Sequence, residues 1–145
     1  MIAIKRIEIS DPLYQQERAL RNSVLLRPIG IPDFGWEMND KASWHFVAVE
    51  MDKVIGCVVL YHVDKQASRA QLMQMAVDHS SQGKGVGKKL VSYLLEFARN
   101  QGLKEIIIHS RSSVNAFYKQ FGFEMIGEEF EEVGIAHSNL TLSLL

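Results

Sequence analysis

Three glycines within five residues form the part of this sequence that is best suited to bind a ligand. They separate a strand-like apolar segment from a segment with helical periodicity, and lysines lie among them: Gly83, Gly85 and Gly87, with Lys84, Lys88 and Lys89. Glycine tolerates positive φ and lets the backbone come close to a ligand. The free N–H groups in the first turn of a helix, together with the helix dipole, favour a bound anion. The spacing therefore predicts a phosphate-binding turn between a strand and a helix.

The order of residues in this turn excludes two common nucleotide-binding loops. A Walker A loop begins with glycine and ends in Lys followed by Ser or Thr, but Gln82 stands at the first position and Lys89 at the last. A dinucleotide-binding fingerprint has the spacing Gly-x-Gly-x-x-Gly, whereas these glycines are spaced Gly-x-Gly-x-Gly. A P-loop site and a Rossmann site are both disfavoured.

Two segments of the chain resemble the GNAT N-acetyltransferase family. The family's acyl-coenzyme A signature, Gln/Arg-x-x-Gly-x-Gly/Ala, is met by Gln82, Gly85 and Gly87, and residues 115–123 are similar to the family's helix with its Gly-Phe ending. The sequence departs from the family at His79, where a proline is usual. The resemblance implies that acetyl-CoA is the acyl donor and that an amine attacks it directly in a ternary complex. It also implies these cofactor-binding residues: Met75, Ala76, Val77, Gln82, Gly83, Lys84, Gly85, Val86, Gly87, Lys88 and Asn115.

The resemblance assigns individual roles beside the cofactor. Tyr118 is similar to the tyrosine that lies by the thioester sulfur, where a phenol can protonate the departing thiolate. The strand that ends at Val77 is expected to pair with the pantetheine arm, and a backbone amide near Met75 to face the thioester oxygen. Packing against aromatic neighbours is the structural alternative for Tyr118, and local hydrogen bonding to the backbone is the alternative for Asn115.

The general base is left open by the sequence. Amine acetylation needs a neutral amine, and several isolated side chains could take its proton, as could water: Glu37, His45, His62, His109 and His137. No group of His, Cys or carboxylate residues has the spacing of metal ligands, so no metal is predicted.

The acceptor is not specified either. An acidic run could attract a cationic amine, although such a run is also typical of a solvated face: Glu124, Glu128, Glu129, Glu131 and Glu132. Aromatic residues around a Pro/Gly-rich loop could line an acceptor pocket or belong to the core: Phe34, Trp36, Trp44 and Phe46. A small molecule and a peptide amine both remain possible acceptors.

Periodicity and turn residues predict the elements that position these groups. The segments in chain order are a strand near 2–9, a helix to about 27, a hairpin of 44–51 and 54–63 about the turn Asp52-Lys53, a strand at 70–77, a helix at 86–100, a strand at 104–109, a short helix capped by Ser112 or Ser113 and stopped by Gly122, and strands at 123–126 and 139–144. The predicted fold is a mixed α/β single domain over residues 1–145. Its central sheet is mostly antiparallel, with one splayed parallel pair ending at Val77 and His109, and helices flank it.

Composition bounds the remaining options. The 145 residues suit one domain, and a net charge of -1 gives no general attraction to nucleic acid or to an anionic membrane. The N-terminus does not resemble a signal peptide, no apolar run is long enough for a bilayer, and the single Cys57 fits a reducing cytoplasm. The oligomeric state is left open, with a homodimer as one option. A coenzyme A-binding sensor without turnover and a nucleotide-phosphate binder are the rival hypotheses.

Overall fold

The computed structural model describes all 145 residues around one seven-stranded sheet in the order β1-β2-β3-β4-β5-β7-β6. The strands are β1 (Ala3–Ile7), β2 (Ser43–Glu50), β3 (Lys53–Asp64), β4 (Arg69–Val77), β5 (Glu105–Arg111), β6 (Glu124–Glu132) and β7 (Ile135–Ser143). The α-helices are α1 (Leu13–Arg21), α2 (Val86–Asn100) and α3 (Asn115–Lys119). Every neighbouring pair of strands is antiparallel except β4 and β5, which confirms the predicted fold class.

The parallel pair separates halfway along its length. Arg69–Leu72 of β4 pairs with Glu105–Ile108 of β5, and no pair follows. The register of β4 against β3 jumps from Met73 to Ala76, so that Gln74 and Met75 together oppose one residue of β3 in a bulge. The resulting gap between residues 73–77 of β4 and 109–111 of β5 is called the opening below.

Two apolar clusters cover the two faces of the sheet. The larger cluster includes Leu72, Ile108 and Tyr118 together with the inner side of α2, and the smaller includes Cys57 and Ala76 beneath α1. These faces are called the α2 face and the α1 face. No helix is long and apolar enough to cross a bilayer.

The first helix extends beyond its regular part. After α1 the chain continues as a π-helix over Asn22–Leu26 and a 3-10 turn over Arg27–Ile29, and then leaves the helix at Gly30 with φ 77°. The predicted extent to about residue 27 is therefore confirmed, although the last turns are not α-helical. Val24 and Leu25 pack against the cluster that contains Ala76, so this helical segment ends over the half of β4 that borders the opening.

Three local predictions need correction. The β2–β3 turn is formed by Met51 and Asp52, with φ 51° and 63°, one residue earlier than predicted. No serine side chain caps the short helix, because the Oγ of Ser112 lies 2.7 Å from that of Ser138 instead. The last two strands are longer than predicted and place the acidic run on β6, an exposed edge strand without a clear apolar alternation.

Candidate active site

The glycine loop, residues 82–87, connects β4 to α2, and its backbone amides from Gly83 onward are unpaired. Gly83 and Gly85 have φ 82° and 77°, and a Cβ at either position would meet nothing within 4 Å, so glycine is required for conformation and not for space. The first hydrogen bond of α2 runs from Lys89 N–H to the Gly85 carbonyl, at 3.1 Å. The N–H groups of residues 83–88 donate no hydrogen bond within the chain. Six adjacent donors at a helix N-terminus can hold a diphosphate.

The start of the loop is fixed to β4. The Nε2 of Gln82 donates to the Val77 carbonyl at 3.2 Å, and Asp78 caps the 3-10 turn His79–Ser81 through the Ser80 N–H. The loop therefore leaves the sheet in a defined direction, although His79 stands where the family has proline.

Close packing joins the loop to the opening. A Cβ on Gly87 would lie 3.1 Å from the Met75 Cε and 3.3 Å from the Phe117 Cζ. A Cβ on Gly56 would lie 2.8 Å from Val86 Cγ1. Both glycines allow the first turn of α2 to approach β3, β4 and α3, so the unpaired amides and the opening form one continuous site.

Tyr118 lies behind the opening, on the α2 face. Its side chain is buried, its ring packs edge-on against Phe117 and Phe123, and its hydroxyl lies 3.9 Å from the Met75 Sδ. Burial raises the pKa of Tyr118 to about 12. Because a thiol has a pKa of about 8.5 in water, full proton transfer from this phenol to a solvated thiolate is uphill. The hydroxyl stays protonated and is suited to donate a hydrogen bond to developing negative charge on sulfur.

Three buried polar atoms near the opening have no partner in the chain: Gln74 Oε1, Ser110 Oγ and Asn115 Oδ1. The other polar atom of Asn115, Nδ2, donates to the Ser138 Oγ at 3.0 Å, so the carbonyl end of the amide is held but unused. Leaving a buried polar atom unpaired costs about 1–3 kcal/mol. Such atoms beside one gap indicate a ligand-binding surface, and Gln74 and Ser110 could not be selected from the sequence because their burial depends on the bulge and on where the strands separate.

The histidines predicted as bases lie in different places. His109 is the first β5 residue beyond the pairing with β4, and strand alternation from the buried Ile108 directs it to the α1 face. Its Nε2 lies 3.0 Å from the Glu132 Oε2 and its Nδ1 3.1 Å from the Asn139 Oδ1. His137 is adjacent, with its Nε2 3.4 Å from the same Glu132 oxygen. The hydrogen bond from His109 lowers the pKa of Glu132, so this carboxylate is ionised beside both rings.

The other base candidates are occupied or remote. His62 follows Tyr61, which pairs with Gln71, so it lies beside the half of β4 that is paired with β5. Its ring packs against Trp44. Glu37 accepts both of its hydrogen bonds from Arg18, at 2.9 and 3.0 Å. Of the five candidates, the structure brings only His109 and His137 to the open end of β5.

A buried network ties the loop before β2 to α1: Tyr14, Glu17, Arg21, Asp40 and His45. His45 Nδ1 lies 2.8 Å from the Glu17 Oε2, and its Nε2 lies 2.8 Å from the Asp40 carbonyl. Since an ionised carboxylate and a carbonyl only accept hydrogen bonds, His45 donates from both nitrogens and is positively charged. Burial acts to lower the pKa of His45, but the hydrogen bond and charge of Glu17 outweigh it and the pKa is raised.

Three members of this network could also be considered as metal ligands, which the sequence did not suggest. Ligand atoms of Glu17, Asp40 and His45 lie within 4.8 Å of one another. Arg21, however, places its Nη1 3.0 Å from Glu17 and 2.8 Å from Asp40, where it supplies the positive charge between the two carboxylates. The arrangement is a neutral set of two anions and two cations, and a divalent cation would have to displace Arg21.

The aromatic residues predicted for an acceptor pocket divide into two groups. Phe46 is fully buried in the core and Trp44 packs against it, which supports the structural alternative for both. Phe34 and Trp36 are exposed on the loop before β2, with φ 64° and 62°. The Phe34 N–H donates to the Asn22 Oδ1 at 2.7 Å, and the Arg18 guanidinium lies 4.2 Å from the Phe34 ring. The loop is thus anchored while its aromatic side chains face solvent.

Comparisons with known proteins extend these observations. A family model for an acetyltransferase (GNAT) domain matches residues 33–144. Human N-acetyltransferase 8B is 32% identical over 102 residues, which are 66% of this chain and 45% of that protein, so the chain spans less than half the length of this relative. The crystal structure of Escherichia coli ElaA has a TM-score of 0.87 at 20% identity and covers 97% of this chain and 99% of its own. A GNAT family acetyltransferase from Elizabethkingia anophelis, solved with acetyl-CoA bound, has a TM-score of 0.76 at 21% identity and covers 99% and 98%. These two structures share the fold described above.

Proposed function

Because the chain belongs to the GNAT acetyltransferase family, whose model covers residues 33–144, we propose that it transfers the acetyl group of acetyl-CoA to a primary amine in a ternary complex. The observation that carries this proposal is the row of unpaired N–H groups at residues 83–88, which adjoins an unpaired edge of β4. Phosphates and an extended amide-containing arm require these two features side by side.

The cofactor is held along one continuous path. The amides of residues 83–88 bind the diphosphate, and exposed lysines of the loop and of the first turn of α2 add positive charge: Lys84, Lys88 and Lys89. Backbone groups of Met75, Ala76 and Val77 pair with the pantetheine arm. Asn115 accepts an N–H of that arm through its unused Oδ1. Gln82 acts indirectly, by fixing the loop to Val77.

The reaction forms a C–N bond and breaks the C–S bond of the thioester. A neutral amine attacks the carbonyl carbon, and a backbone amide near Met75 stabilises the oxyanion. Tyr118 donates a hydrogen bond to the sulfur as negative charge develops there. The burial that raises the pKa of Tyr118 also disfavours a bare thiolate, so it raises the pKa of the thiol as well. The difference between the two pKa values is therefore smaller than that between the buried phenol and a solvated thiol.

The acceptor amine gives up one proton, and we assign its removal to His109. In the neutral ring Nε2–H donates to Glu132, and Nδ1, which lies 3.1 Å from the Asn139 Oδ1, offers its lone pair to the amine once that exposed side chain turns away. The ionised Glu132 then stabilises the imidazolium that forms. His109→Gln is expected to reduce turnover at least tenfold with acetyl-CoA affinity unchanged, whereas equal turnover would assign deprotonation to water.

The first experiment is thermal unfolding with acetyl-CoA, ATP or NAD added. A ligand that binds only the folded chain raises the midpoint by mass action, and we expect a rise with acetyl-CoA alone. Gly85→Glu should abolish this rise, because it adds bulk and negative charge at φ 77°. Gly102→Glu is the matched control, since Gly102 has φ 76° and open space but lies beyond the far end of α2. A rise with nucleotides only, or an equal loss in both variants, would contradict the proposal.

Thiol release then tests turnover with a panel of amines: 2-phenylethylamine, spermidine, a lysine-containing peptide and peptides with a free N-terminal Met or Ala. Faster thiol release with any of these amines than with acetyl-CoA alone supports amine acetylation. Binding of acetyl-CoA with no release from any member would favour the non-catalytic sensor.

We also propose that the functional domain includes residues 1–145, because β1 and α1 complete the sheet and the α1 face. The buried thiol of Cys57, whose pKa is raised by burial, suits the reducing cytoplasm that we propose as its location.

A further inference from the structure

Gln74 has an unusual backbone conformation at the point where the central strands separate. Its φ is 54°, in the left-handed region that favours glycine, although it lies in a central strand. It is the second residue beyond the last pair of β4 with β5, and it belongs to the bulge against β3. Residues in such conformations persist where the surrounding structure fixes them, and they concentrate at functional sites.

The bulge interrupts the alternation of side chains along β4. Leu72 before the bulge and Met75 after it both pack with the cluster on the α2 face, whereas Ala76 packs on the α1 face, so alternation does not extend through Gln74. The Sγ of Cys57, which also belongs to the α1-face cluster, lies 3.5 Å from the Gln74 carbonyl. Gln74 directly precedes Met75, whose backbone amide is proposed to face the thioester oxygen, so Gln74 lies beside the proposed position of the reacting carbonyl.

The side chain is also polar, buried at its oxygen and unused. Gln74 Oε1 has no hydrogen-bond partner. Gln74 lies between Met73 and Met75, and the Met75 sulfur is 3.9 Å from the Tyr118 hydroxyl. No donor within the chain reaches this acceptor, so it is free to accept a hydrogen bond from a bound molecule.

We propose that Gln74 Oε1 accepts a hydrogen bond from the nitrogen of the acceptor amine and orients its lone pair toward the thioester carbon. This inference rests on the proposed acetyl transfer and adds a substrate-contacting residue to it. The amine then lies beside the thioester carbonyl next to Gln74, while Tyr118 meets the sulfur from the α2 face.

An amide is chemically suited to this position. A carboxylate beside the amine would stabilise the ammonium ion and raise its pKa, which lowers the fraction of neutral nucleophile. The neutral amide oxygen accepts the same N–H without adding charge. The residue thus positions the amine and leaves deprotonation to His109.

The test uses Gln74→Met, a straight-chain apolar replacement, with Gln101→Met as the matched control on the exposed end of α2. Removing an unpaired buried polar atom should raise the unfolding midpoint of the ligand-free chain by about 2–4 °C. The rise in midpoint on adding acetyl-CoA should equal that of the unaltered chain. Thiol release with 2-phenylethylamine or hydroxylamine should fall about tenfold in kcat/KM, and Gln101→Met should change none of these quantities.

Gln74→Glu adds a readout that a purely structural role would not move. With 2-phenylethylamine, a cation near neutral pH, the pH dependence of kcat, which reports groups in the enzyme–substrate complex, should shift to higher pH. With hydroxylamine, which is largely uncharged there, it should not shift. A lower midpoint or weaker acetyl-CoA binding in Gln74→Met would overturn the inference, as would an unchanged pH profile in Gln74→Glu. Failure of the unaltered chain to bind acetyl-CoA would instead overturn the proposed function.

Discussion

The buried network under α1 and the opening between β4 and β5 use polar residues in opposite ways. In the network, two carboxylates, a guanidinium and an imidazolium bond one another, and only Glu17 Oε1 lacks a partner. At the opening, three buried polar atoms and a row of backbone amides have no partner in the chain. Satisfied polar groups hold a structure, whereas unsatisfied ones retain their hydrogen-bonding capacity for a ligand. The contrast separates the part of the molecule that supports the site from the part that acts.

The largest effect on stability is expected from Arg21→Met. This change leaves Glu17 and Asp40 buried near each other without the cation between them, which costs about 3–5 kcal/mol. Urea unfolding measures the loss. Arg27→Met is the control, because Arg27 pairs with Asp33 at an exposed site. Its free energy of unfolding should be close to that of the unaltered chain. Equal effects of the two variants would show that the network does not hold the fold.

Tyr118→Phe should give the largest effect on turnover at the opening. Losing the hydroxyl removes a hydrogen bond to developing charge on sulfur, worth about 1.5–3 kcal/mol, so kcat is expected to fall about 10- to 10²-fold, with acetyl-CoA binding nearly unchanged. Tyr93→Phe, at a more exposed site on α2, is the control. Steady-state kinetics and ligand-dependent unfolding together test this, and a loss of binding equal to the loss of rate would remove Tyr118 from the chemical step.

The pH dependence of stability should report on His45. A histidine whose pKa is raised in the folded chain contributes stability that is fully present below its unfolded pKa of about 6.5. That contribution is lost as pH rises through the higher folded pKa. Urea unfolding between neutral and alkaline pH should therefore show a decline that is weaker in His45→Gln. Parallel pH profiles for the two chains would mean that His45 is not charged in the network.

The smallest effect compares two serines that are two residues apart. Ser112→Ala removes a hydroxyl bonded to Ser138 and should destabilise the chain by about 1 kcal/mol. Ser110→Ala removes a hydroxyl with no partner and should leave stability equal or higher. If Ser110→Ala is the more destabilising of the two, the opening does not differ from the rest of the molecule.

The sequence predicted those features that depend on neighbouring residues. The glycine loop follows from positive φ and a helix start, and α2 follows from apolar residues at helical spacing, so both were predicted in place. The turn Met51-Asp52 was misplaced because left-handed φ at non-glycine residues has a weak sequence signal. The strand β6 was shortened because an exposed edge strand needs no apolar face.

Features that depend on distant residues could not be predicted. Glu17, Asp40 and His45 are far apart in sequence, and each reads as an isolated polar residue until α1 packs on the sheet. The bulge at Gln74 has no local marker such as glycine, and its importance appears only where β5 stops pairing. For the same reason, five base candidates were equivalent in the sequence, although only two of them lie at the open end of β5.

The acidic strand β6 affects how the protein can associate with itself. It is an edge strand of the sheet, and its free backbone groups could pair with a strand from another chain. Its glutamates are exposed, so an antiparallel match of two such borders would bring like charges face to face. The β6 glutamates, which show no strand pattern in the sequence, thus oppose edge-to-edge pairing of two sheets. Their repulsion becomes weaker when low pH protonates them or when salt screens their charge.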